Sequence, residues 1–546
     1  MEIGIDFGTT NTVVSYINRQ GDAKPIRIMS DTIIPSVIYY NSRDSFDIGK
    51  IAKQKAEAFP EASVTDFKIF LGDENKKFKI KTKRGITFNV LPYKVASQFL
   101  SEVFLKAQDA VAREYRNTPE KAIIDKVIIT IPVKFERAAI NELKKAVKEA
   151  GIPQVALMSE PSAAAIAYMD QHSNMVGGNI LVYDFGGGTF DVSLMHRNNS
   201  RYDLIDEDGM KIGGNNLTNE IIQDMLESIN YDFDGIEMTV NEEDFDEVNS
   251  SINRDFYIEN LHIIRENCEK IKRDLSSGSS LIETGFYLIT SIDNEGNPSK
   301  DYVQYSYSCD DIYKLINKHI DKTVEKTKSV LKTAKQNKIK IDRLVLAGGS
   351  SQIPSIKTKL EKMIQELSDE DANAVNSSFY SNIPVMRDDD VSTLISIGAA
   401  IKAHKNYSGV TLMDKNVADV GVKTQLGNLI DRFETIVPAG TMLPCTRTKK
   451  FSLDKIENNC LEIYIYERDV QNWNKIDNTV RNSSVSFIDK IMIPGINIEK
   501  NPDASVSIAF ELKRDGSIDV KANVTIGDRV IGKDLVIKRE SERDLL

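Results

Sequence analysis

About a third of the way along the chain, two apolar segments flank a turn built from three glycines. Residues 180–183 are all apolar and run directly into Asp184, and a second strand-like segment follows at residues 190–194. Because strands of this length are bounded by residues that tolerate unusual backbone angles, the pattern predicts a strand, a tight turn and a second strand. An ordinary hairpin with a glycine turn stays open as the plainer interpretation of this stretch alone.

The turn itself has the composition of a phosphate-binding loop. Glycines leave several backbone N–H groups exposed with no side chain in the way, which is the geometry that receives a phosphate. Asp184 would point a carboxylate at the same spot, and a carboxylate beside a phosphate makes sense mainly with a divalent cation between them. The turn residues are Gly186, Gly187, Gly188 and Thr189.

The N-terminus repeats this plan. Residues 3–16 run through a short apolar strand, Asp6, a hydroxyl-rich turn and a second apolar strand. The chain thus contains two copies of a unit in which a strand, an Asp-Phe-Gly segment, a turn and a second strand follow one another. This repeat suggests a duplicated lobe, with the two copies binding one nucleotide from both sides. The turn residues of this first copy are Gly8, Thr9, Thr10 and Asn11.

Helix-like and strand-like segments alternate through the rest of the first 400 residues or so. We predict one helix beginning near Asn215 and others at residues 95–115, 137–150, 261–277 and 310–334. Strands are predicted at residues 33–40, 127–132 and 344–347. From residue 417 onward the pattern changes to strands and turns, with strands predicted at 435–437, 450–453, 461–466, 505–512 and 518–524. The chain therefore combines an α/β part with an antiparallel β-sandwich.

The predicted helix at residues 261–277 carries two stripes. Its apolar side chains recur at three- and four-residue steps and predict one buried face: Leu261, Ile264, Cys268, Ile271 and Leu275. Polar side chains recur at the same spacing on a second face: Glu269, Lys272, Arg273 and Ser276. Taken alone, the polar stripe is also compatible with a solvated helix face that holds an ion pair between Glu269 and Arg273.

Composition and charge narrow the possible functions. The 546 residues carry a formal net charge of −11, which argues against a nucleic-acid-binding protein. The four cysteines stand far apart without CxxC spacing, so we expect neither a disulfide framework nor a zinc site, and the five histidines are equally scattered. No stretch approaches the ~18 apolar residues of a membrane span. We therefore expect a soluble, cytoplasmic protein with neither a nucleic-acid nor a membrane partner.

The motifs DFGTTNT and DFGGGTFDVSL resemble the phosphate loops of the actin and sugar-kinase superfamily, and most closely those of the 70-kDa heat-shock chaperones, the DnaK-like family. The resemblance runs through residues 1–405 and, more weakly, through residues 409–540. It implies an actin-like (ribonuclease-H-like) two-lobed α/β ATPase domain at residues 1–405, with lobe I at about 1–175 and lobe II at about 176–405. A hydrophobic linker at 406–414 and an all-β sandwich for substrate binding at 415–546 would follow.

The resemblance also assigns roles in a nucleotide site. The implied cofactors are ATP or ADP and Mg²⁺, with K⁺ as a further candidate ion, and Asp6 and Asp184 would orient the magnesium through waters. The implied catalytic residues are Lys68, Glu160, Asp184, Thr189 and Asp191. Besides the two turns, nucleotide contacts would come from Lys68, Gly213, Gly214, Glu269, Lys272, Arg273, Ser276, Gly348, Gly349, Ser350 and Gln352. Nothing in this set is a strong base, so we expect slow hydrolysis that times a conformational change.

In the C-terminal part, the resemblance implies a peptide-binding module. A short apolar linker strand would dock in one nucleotide state and be released in the other. Its residues are Val410, Leu412, Met413 and Asp414. The peptide pocket would be lined by Phe433, Leu461 and Ile463. The chain ends at Leu546 with no helical region after the sandwich, so we expect the helical lid of the family to be missing and bound peptide to exchange faster.

Several positions depart from the family pattern. Gln352 replaces the arginine that stacks on the base, Asn215 replaces an acidic residue, and Asp454 replaces an apolar residue of the peptide arch. The positions that the family uses for coupling to a J-domain co-chaperone also differ from the family pattern: they are Lys134, Ile140 and Ala156. The resemblance implies such a co-chaperone and a nucleotide-exchange factor as partners, and the departures leave coupling to them open.

Three functions compete. The first is an ATP-dependent chaperone that couples slow hydrolysis to the binding of peptide or unfolded-protein clients. The second is a chaperone-derived, nucleotide-gated binding module for one dedicated protein partner, and the missing lid, Asp454 and Ala156 favour it. The third is a small-metabolite kinase of the same superfamily, which would need a carboxylate base over an acceptor pocket that the sequence does not let us assign.

Overall fold

The structure, a computed structural model, describes two parts of the chain. The first covers residues 1–404, apart from 119–121, 173–176, 199–200, 234–235, 241–251, 276–279, 376–378, 382 and 388–389. The second covers residues 419–537, apart from 427–429, 440, 442–444, 454–459, 469–484, 497–503, 514–517 and 528. The chain divides into two compact units, Met1–Val410 and Thr411–Asp544. The predicted linker at 406–414 lies outside the described residues, so it and the predicted domain boundaries stay predictions.

The first lobe of the N-terminal unit alternates strands with helices. Its strands are β1 Glu2–Phe7, β2 Asn11–Ile17, β3 Ala23–Pro25, β4 Ile33–Pro35, β5 Ile38–Ser42, β6 Ser45–Ile48, β7 Ser63–Val64, β8 Phe78–Lys81, β9 Thr87–Val90, β10 Lys126–Ile131 and β11 Val155–Ser159. Its helices are α1 Gly49–Ala58, α2 Pro92–Glu114, α3 Arg137–Glu149 and α4 Glu160–Gln171, with 3₁₀ turns at Pro60–Ala62 and Phe67–Phe70. Most of these elements contribute apolar side chains to one core, in which the rings of Phe7, Phe67 and Phe99 pack against one another, whereas α1 packs against β5 in a smaller cluster.

The second lobe continues the alternation. Its strands are β12 Gly177–Phe185, β13 Phe190–Asn198, β14 Arg201–Met210, β15 Leu281–Ile292, β16 Pro298–Ser308, β17 Arg343–Ala347 and β18 Val385–Arg387. Its helices are α5 Gly214–Asp232, α6 Arg254–Asp274, α7 Cys309–Gln336, α8 Pro354–Val375 and α9 Leu394–Ala403, with a 3₁₀ turn at Gly349–Gln352. The stripe predicted on α6 is confirmed, because all five of its apolar residues are buried in the core of this lobe.

The two lobes have the same sheet topology. The strand order is β11-β10-β1-β2-β3 in the first lobe and β18-β17-β12-β13-β14 in the second. In each sheet an antiparallel hairpin, β1–β2 or β12–β13, pairs through its first strand in parallel with β10 or β17. The duplication inferred from the two Asp-Phe-Gly segments is therefore visible in the fold, and it places the two hairpin turns at corresponding positions.

Helices α4 and α9 pack together without side chains between their backbones at one point. A Cβ atom on Gly398 would lie 1.8 Å from the Ala163 carbonyl oxygen, so only glycine allows this approach. The small residues of α4 permit this close contact between the two helices. Helix α9 also lies against β1, where a Cβ on Gly4 would lie 2.2 Å from the Ala400 nitrogen.

The C-terminal unit is a β-sandwich of two antiparallel sheets. Its strands are β19 Asp419–Leu426, β20 Ile430–Val437, β21 Cys445–Ser452, β22 Cys460–Arg468, β23 Val485–Pro494, β24 Ser505–Leu512, β25 Ile518–Ile526 and β26 Arg529–Ile537. One sheet has the order β20-β19-β22-β23 and the other β21-β24-β25-β26. Alternate side chains of the two sheets form a common apolar core, as a sandwich requires.

One predicted strand is wrong. Residues 33–40 form two short strands, because Pro35 has no N–H with which to continue a ladder of hydrogen bonds. Strand β4 pairs with β2, whereas β5 pairs with β6 and β7. Among the residues that the structure describes, none of the helices combines the length and apolar composition that crossing a membrane would need.

Candidate functional site

Two glycine-containing turns of the N-terminal unit touch each other. A Cβ atom on Gly187, in the β12–β13 turn, would lie 2.2 Å from Thr10 Oγ1 in the β1–β2 turn. A Cβ on Gly188 would lie 2.7 Å from Thr9 Oγ1. Side chains on these glycines would push the opposite turn away, so the sequence keeps both positions bare. In the first turn, Gly8 is equally constrained, because its Cβ would lie 2.2 Å from the carbonyl oxygen of Asn11.

A second pair of glycines joins these turns from the start of α5. The Gly214 N–H donates to the Gly186 carbonyl oxygen at 2.9 Å, and the Asn215 N–H donates to the Gly187 carbonyl oxygen at 2.8 Å. A Cβ on Gly213 would lie 2.4 Å from that same Gly187 oxygen. The N-terminus of α5 is thereby fixed against the loop, and the positive end of its dipole favours an anion there.

The third glycine turn, which follows β17, packs against the same loop. Gly348 has a φ of 75°, a conformation that favours glycine, and a Cβ there would lie 2.4 Å from Asp184 Oδ1. Ser350 Oγ donates to the Gly186 carbonyl oxygen at 2.9 Å. A Cβ on Gly349 would meet nothing within 4 Å, so this glycine borders open space.

Asp184 lies where these turns converge, and its carboxylate has no hydrogen-bond partner among the described residues. The residue is 2% exposed, and neither oxygen meets a donor within the part of the chain that the structure describes. Burial raises the pKa of Asp184 well above its usual value, and repulsion from Glu160, Asp191 and Asp6 adds to the rise. A buried carboxylate without donors is costly unless a proton or a cation neutralises it.

Asp6 is the matching carboxylate of the first hairpin. Burial and repulsion from Glu160 raise the pKa of Asp6 to about 7, although Lys68 and the Thr130 hydroxyl, which donates to Oδ1 at 3.2 Å, act in the opposite direction. Within the described ranges, no group of three or more His, Cys, Asp and Glu side chains could hold a bare metal ion. Two buried carboxylates with raised pKa values, and no further side-chain ligands beside them in the described ranges, fit a magnesium ion that keeps most of its water ligands.

Lys68 and Glu160 form a buried ion pair. The ammonium nitrogen of Lys68 lies 2.7 Å from Glu160 Oε1, and the residues are 3% and 7% exposed. Lys68 is carried by the 3₁₀ turn Phe67–Phe70, and Glu160 is the first residue of α4. A lysine flanked by apolar residues usually extends along the surface with its charge in water. Lys68 instead faces the acidic cluster. Its positive charge partly offsets the rise in the pKa of Asp6 and of Asp184.

Asp191 and Thr189 lie beside this pair. The Val133 N–H donates to Asp191 Oδ1 at 2.9 Å, and the Thr189 side chain hydrogen-bonds to the same carboxylate. Burial and repulsion from Glu160 nevertheless raise the pKa of Asp191 well above its usual value. The structure thus brings the five predicted catalytic residues into one electrostatically coupled cluster.

The polar stripe of α6 contacts the first turn of α5 through Lys272. Its Nζ donates to the Gly214 carbonyl oxygen at 3.0 Å, to Thr218 Oγ1 at 2.9 Å and to Glu269 Oε2 at 2.6 Å. Burial lowers the pKa of Lys272, although Glu269 opposes the change. Burial acts to raise the pKa of Glu269, but the charge and hydrogen bonds of Lys272 and Thr218 outweigh it and lower that pKa. The Arg273 side chain is 60% exposed, and Ser276 lies outside the described residues.

Three contributors escaped the sequence analysis. Arg387 donates from Nη1 to the backbone carbonyl oxygen of Gln352, at the end of the third glycine turn, at 3.3 Å. Thr130 binds Asp6, and Asp66 accepts a hydrogen bond from Asn215 at 2.6 Å. Each comes from a segment distant in sequence from the residue that it contacts, and no local pattern marks it.

The residues predicted to line a peptide pocket do not come together. In the sheet register Phe433 lies opposite Lys423, whereas the neighbouring Val422 faces the sandwich core with Ile463, and Leu461 packs against the same core. Because neighbouring residues of a strand point to opposite faces, Phe433 lies on the other side of this sheet from Leu461 and Ile463.

Phe433 is also fully covered. It is 1% exposed, and the Arg468 guanidinium lies over its ring at 4.7 Å from the centroid. The linker residues Val410, Leu412, Met413 and Asp414, and the arch residue Asp454, lie outside the described residues. A peptide pocket therefore stays a prediction, and Leu461, which is half-buried, is its best-placed candidate.

Comparisons with known proteins agree with this architecture. The family model described as Hsp70 protein matches residues 2–543. A chaperone protein DnaK of Gracilaria tenuistipitata var. liui is 27% identical over 97% of this chain and 78% of its own length. The DnaK chaperones of Emiliania huxleyi and Mesomycoplasma hyopneumoniae (strain J) are each 26% identical, over 99% and 98% of this chain and 82% and 78% of theirs.

Proposed function

The chain belongs to the Hsp70 family of ATP-dependent chaperones and is an ATPase, and we propose that it couples slow hydrolysis of Mg·ATP to the binding of peptide or unfolded-protein clients in its β-sandwich. The proposal assigns ATP to the junction of the three glycine turns. It assigns the control of client binding to the linker at residues 410–414, and it assigns the client to the sandwich.

The observation that carries the proposal is the orphaned carboxylate of Asp184. Both of its oxygens are buried without a hydrogen-bond donor among the described residues, at the point where three bare glycine turns converge. An aspartate with a purely structural role is expected to accept hydrogen bonds, because a buried polar group without a partner costs about 1–3 kcal/mol of folding free energy. We therefore interpret the Asp184 carboxylate as a group that interacts with a cation brought to the site with the nucleotide. Mg²⁺ held near Asp6 and Asp184 would offset the phosphate charge.

The residues of the protein would position and polarise the attacking water. The Lys68 ammonium group is placed to face charge that develops on the transferred phosphoryl group, and Glu160 fixes the ammonium group by their ion pair. Thr189 and Asp191 are hydrogen-bonded to each other beside them. A carboxylate is a weak base, so catalysis rests on positioning and electrostatics and hydrolysis is slow.

The adenosine would lie along the polar stripe of α6, next to the third glycine turn. Lys272 ties this helix to Gly214, and Glu269 is held ionised beside it. Gln352 can cover a ring face with its planar amide, without the cation–π attraction that an arginine would add. Arg387, which donates to the Gln352 carbonyl, brings a guanidinium group to the same turn.

A second function, a nucleotide-gated module for one dedicated partner, is favoured by the sandwich. Phe433 faces away from Leu461 and Ile463, and Ile463 is 5% exposed, so little of the predicted pocket is open surface. Such a module would keep the ATPase but bind unrelated peptides poorly. Co-chaperones belong to either function as proposals.

The test measures ATP turnover and peptide binding on the full chain. Turnover is measured for the wild type and for Lys68→Ala, and binding of unrelated fluorescent peptides is measured in ADP and in ATP. Turnover that the substitution abolishes, together with peptide binding that ATP weakens, supports the chaperone. Turnover without peptide binding in either state supports the dedicated module. Absence of magnesium-dependent turnover in the wild type contradicts both.

A further inference from the structure

One hydrogen bond ties the lysine-bearing turn of the first lobe to the phosphate turn of the second. Asn215 Nδ2 donates to Asp66 Oδ1 at 2.6 Å, between residues that lie 149 positions apart in the chain. Asp66 directly precedes the 3₁₀ turn Phe67–Phe70, and Asn215 is in the first turn of α5. We propose that Asp66 and Asn215 are positioning residues of the ATPase, which set where the Lys68 ammonium group stands relative to the glycine turn at Gly187. This inference rests on the proposed role of Lys68.

On the first lobe, Asp66 is fixed to the lysine-bearing turn by its backbone. Its φ of 54° and ψ of 16° lie in the left-handed region, where aspartate and asparagine are among the few non-glycine residues that occur readily. The Thr65 hydroxyl donates to the second carboxylate oxygen at 3.2 Å. Lys68 follows two residues later inside a single tight turn, so a displacement of Asp66 displaces the lysine as well.

On the second lobe, Asn215 holds the phosphate turn with its backbone. Its N–H donates to the Gly187 carbonyl oxygen at 2.8 Å, while its side chain reaches Asp66. Asn215 therefore contacts both halves of the site, one with its backbone and the other with its side chain. The connection is short on both sides, because neither contact involves a long flexible side chain.

The surroundings of Asp66 strengthen the contact. Burial raises the pKa of Asp66, repulsion from Glu269 adds to the rise, and Asn215 and Arg265 oppose it. Hydrogen bonds count for more in partly desolvated sites than in water, because the competing water is removed. The Asn215 amide is the donor that holds the Asp66 carboxylate in place from the opposite lobe.

Two ion pairs also cross between the lobes, and neither involves a residue of the glycine turns. Lys53 pairs with Glu266 at 2.8 Å and Lys81 pairs with Asp255 at 2.5 Å, and both join elements of the first lobe to α6. Loss of these two ion pairs would weaken the contact between the lobes in general. Loss of the hydrogen bond between Asp66 and Asn215 would instead move Lys68 relative to Gly187.

The experiment is a reciprocal swap, read by single-turnover hydrolysis of bound ATP so that product release does not mask the chemical step. Asn215→Ala removes the donor, and Asn215→Asp sets two carboxylates against each other. In each variant we expect the single-turnover rate to fall about tenfold, while the affinity for ATP changes less than about twofold. Adding Asp66→Asn to Asn215→Asp restores a donor and an acceptor with their places exchanged, and we expect it to recover most of the rate.

Asn219→Ala is the matched control. Asn219 is an asparagine one turn further along α5, and its side chain accepts a hydrogen bond from Arg265 at 3.2 Å. We expect the wild-type rate for it. Thermal unfolding midpoints of all variants verify that they are folded. An unchanged rate in Asn215→Asp, a loss of ATP affinity in proportion to the rate, or a swap that recovers nothing each overturns the inference. If the wild type turns over ATP and Lys68→Ala does not, these results leave the proposed function intact.

Discussion

Lys68 and Glu160 meet as a buried ion pair, with 2.7 Å between the ammonium nitrogen and Oε1, although 92 residues separate them in the chain. Removing the lysine leaves the Glu160 charge buried and uncompensated. For Lys68→Ala we expect ATP turnover to fall at least a hundredfold and the free energy of unfolding to fall by about 3–5 kcal/mol. Turnover assays and denaturant unfolding of the N-terminal unit measure the two effects.

The double variant Lys68→Met with Glu160→Gln separates stability from activity. It replaces the charged pair by neutral side chains of similar size, so the stability lost in Lys68→Ala should largely return. Turnover should not return, because the positive charge is still missing. Recovery of turnover in the double variant would show that Lys68 serves only to compensate Glu160.

We expect the substitution Asp184→Asn to abolish ATP turnover and to increase the stability of the fold. Burial raises the pKa of Asp184 in the folded chain, so as pH rises above about 4 the unfolded chain releases this proton first and the folded state loses stability. An asparagine carries no such cost. In nucleotide-free protein at pH 7 we expect the variant to be more stable by about 2 kcal/mol, with the gain vanishing near pH 4, and we expect no magnesium-dependent turnover.

Thermal unfolding between pH 4 and pH 8 measures this gain. Asn11→Ala is a suitable control, because it changes the opposite turn without removing a buried carboxylate. An Asp184→Asn variant that is less stable than the wild type at pH 7 would mean that the carboxylate has a partner in the free protein.

The affinity for magnesium and ATP should depend on pH near neutrality. The pKa of Asp6 is raised to about 7, so the carboxylate is largely protonated at pH 6 and largely ionised at pH 8. A cation is held by the ionised form, and its binding releases the proton. We expect binding of Mg·ATP to weaken by about tenfold from pH 8 to pH 6, as one proton per site requires. Titration calorimetry in buffers of different ionisation enthalpy counts that proton, and Asp6→Asn should flatten the dependence.

The glycine turns and the buried stripe of α6 were predictable because their signals are local. Three glycines after an apolar strand, or apolar residues at three- and four-residue steps, constrain only a few neighbouring residues. The strands Val485–Pro494 and Arg529–Ile537 escaped prediction because they lie at sheet edges, where few side chains are buried and the alternation is weak. The pairing of Asp66 with Asn215 and the outward face of Phe433 depend on tertiary packing and on register, which no single segment encodes.

Arg468 should stabilise the sandwich rather than bind a ligand. Its Nε donates to Asp419 Oδ2 at 3.1 Å in buried surroundings, and its Nη2 donates to Thr435 Oγ1 at 3.1 Å in partly buried surroundings. Arg468→Leu would leave the Asp419 carboxylate without its guanidinium partner. We expect a loss of about 3 kcal/mol in the unfolding free energy of the C-terminal unit, with ATP turnover unchanged. Hydrogen exchange in β19 and β22 reports the local loss, and protection equal to the wild type would contradict this role.

Phe433 and Leu461 give the sharpest test of a peptide site, because they lie on opposite faces of one sheet. Leu461→Glu places a charge at the half-buried edge of the core, where an apolar peptide side chain would dock, and we expect at least tenfold weaker peptide binding in ADP. Phe433→Leu removes an aromatic ring from beneath Arg468, and it should lower stability by about 1–3 kcal/mol while peptide affinity stays within about twofold. Fluorescence anisotropy with a labelled apolar peptide measures both affinities, with thermal unfolding as the folding control. If Phe433→Leu weakens binding and Leu461→Glu does not, the client surface is the outer face of this sheet, not the edge near the core.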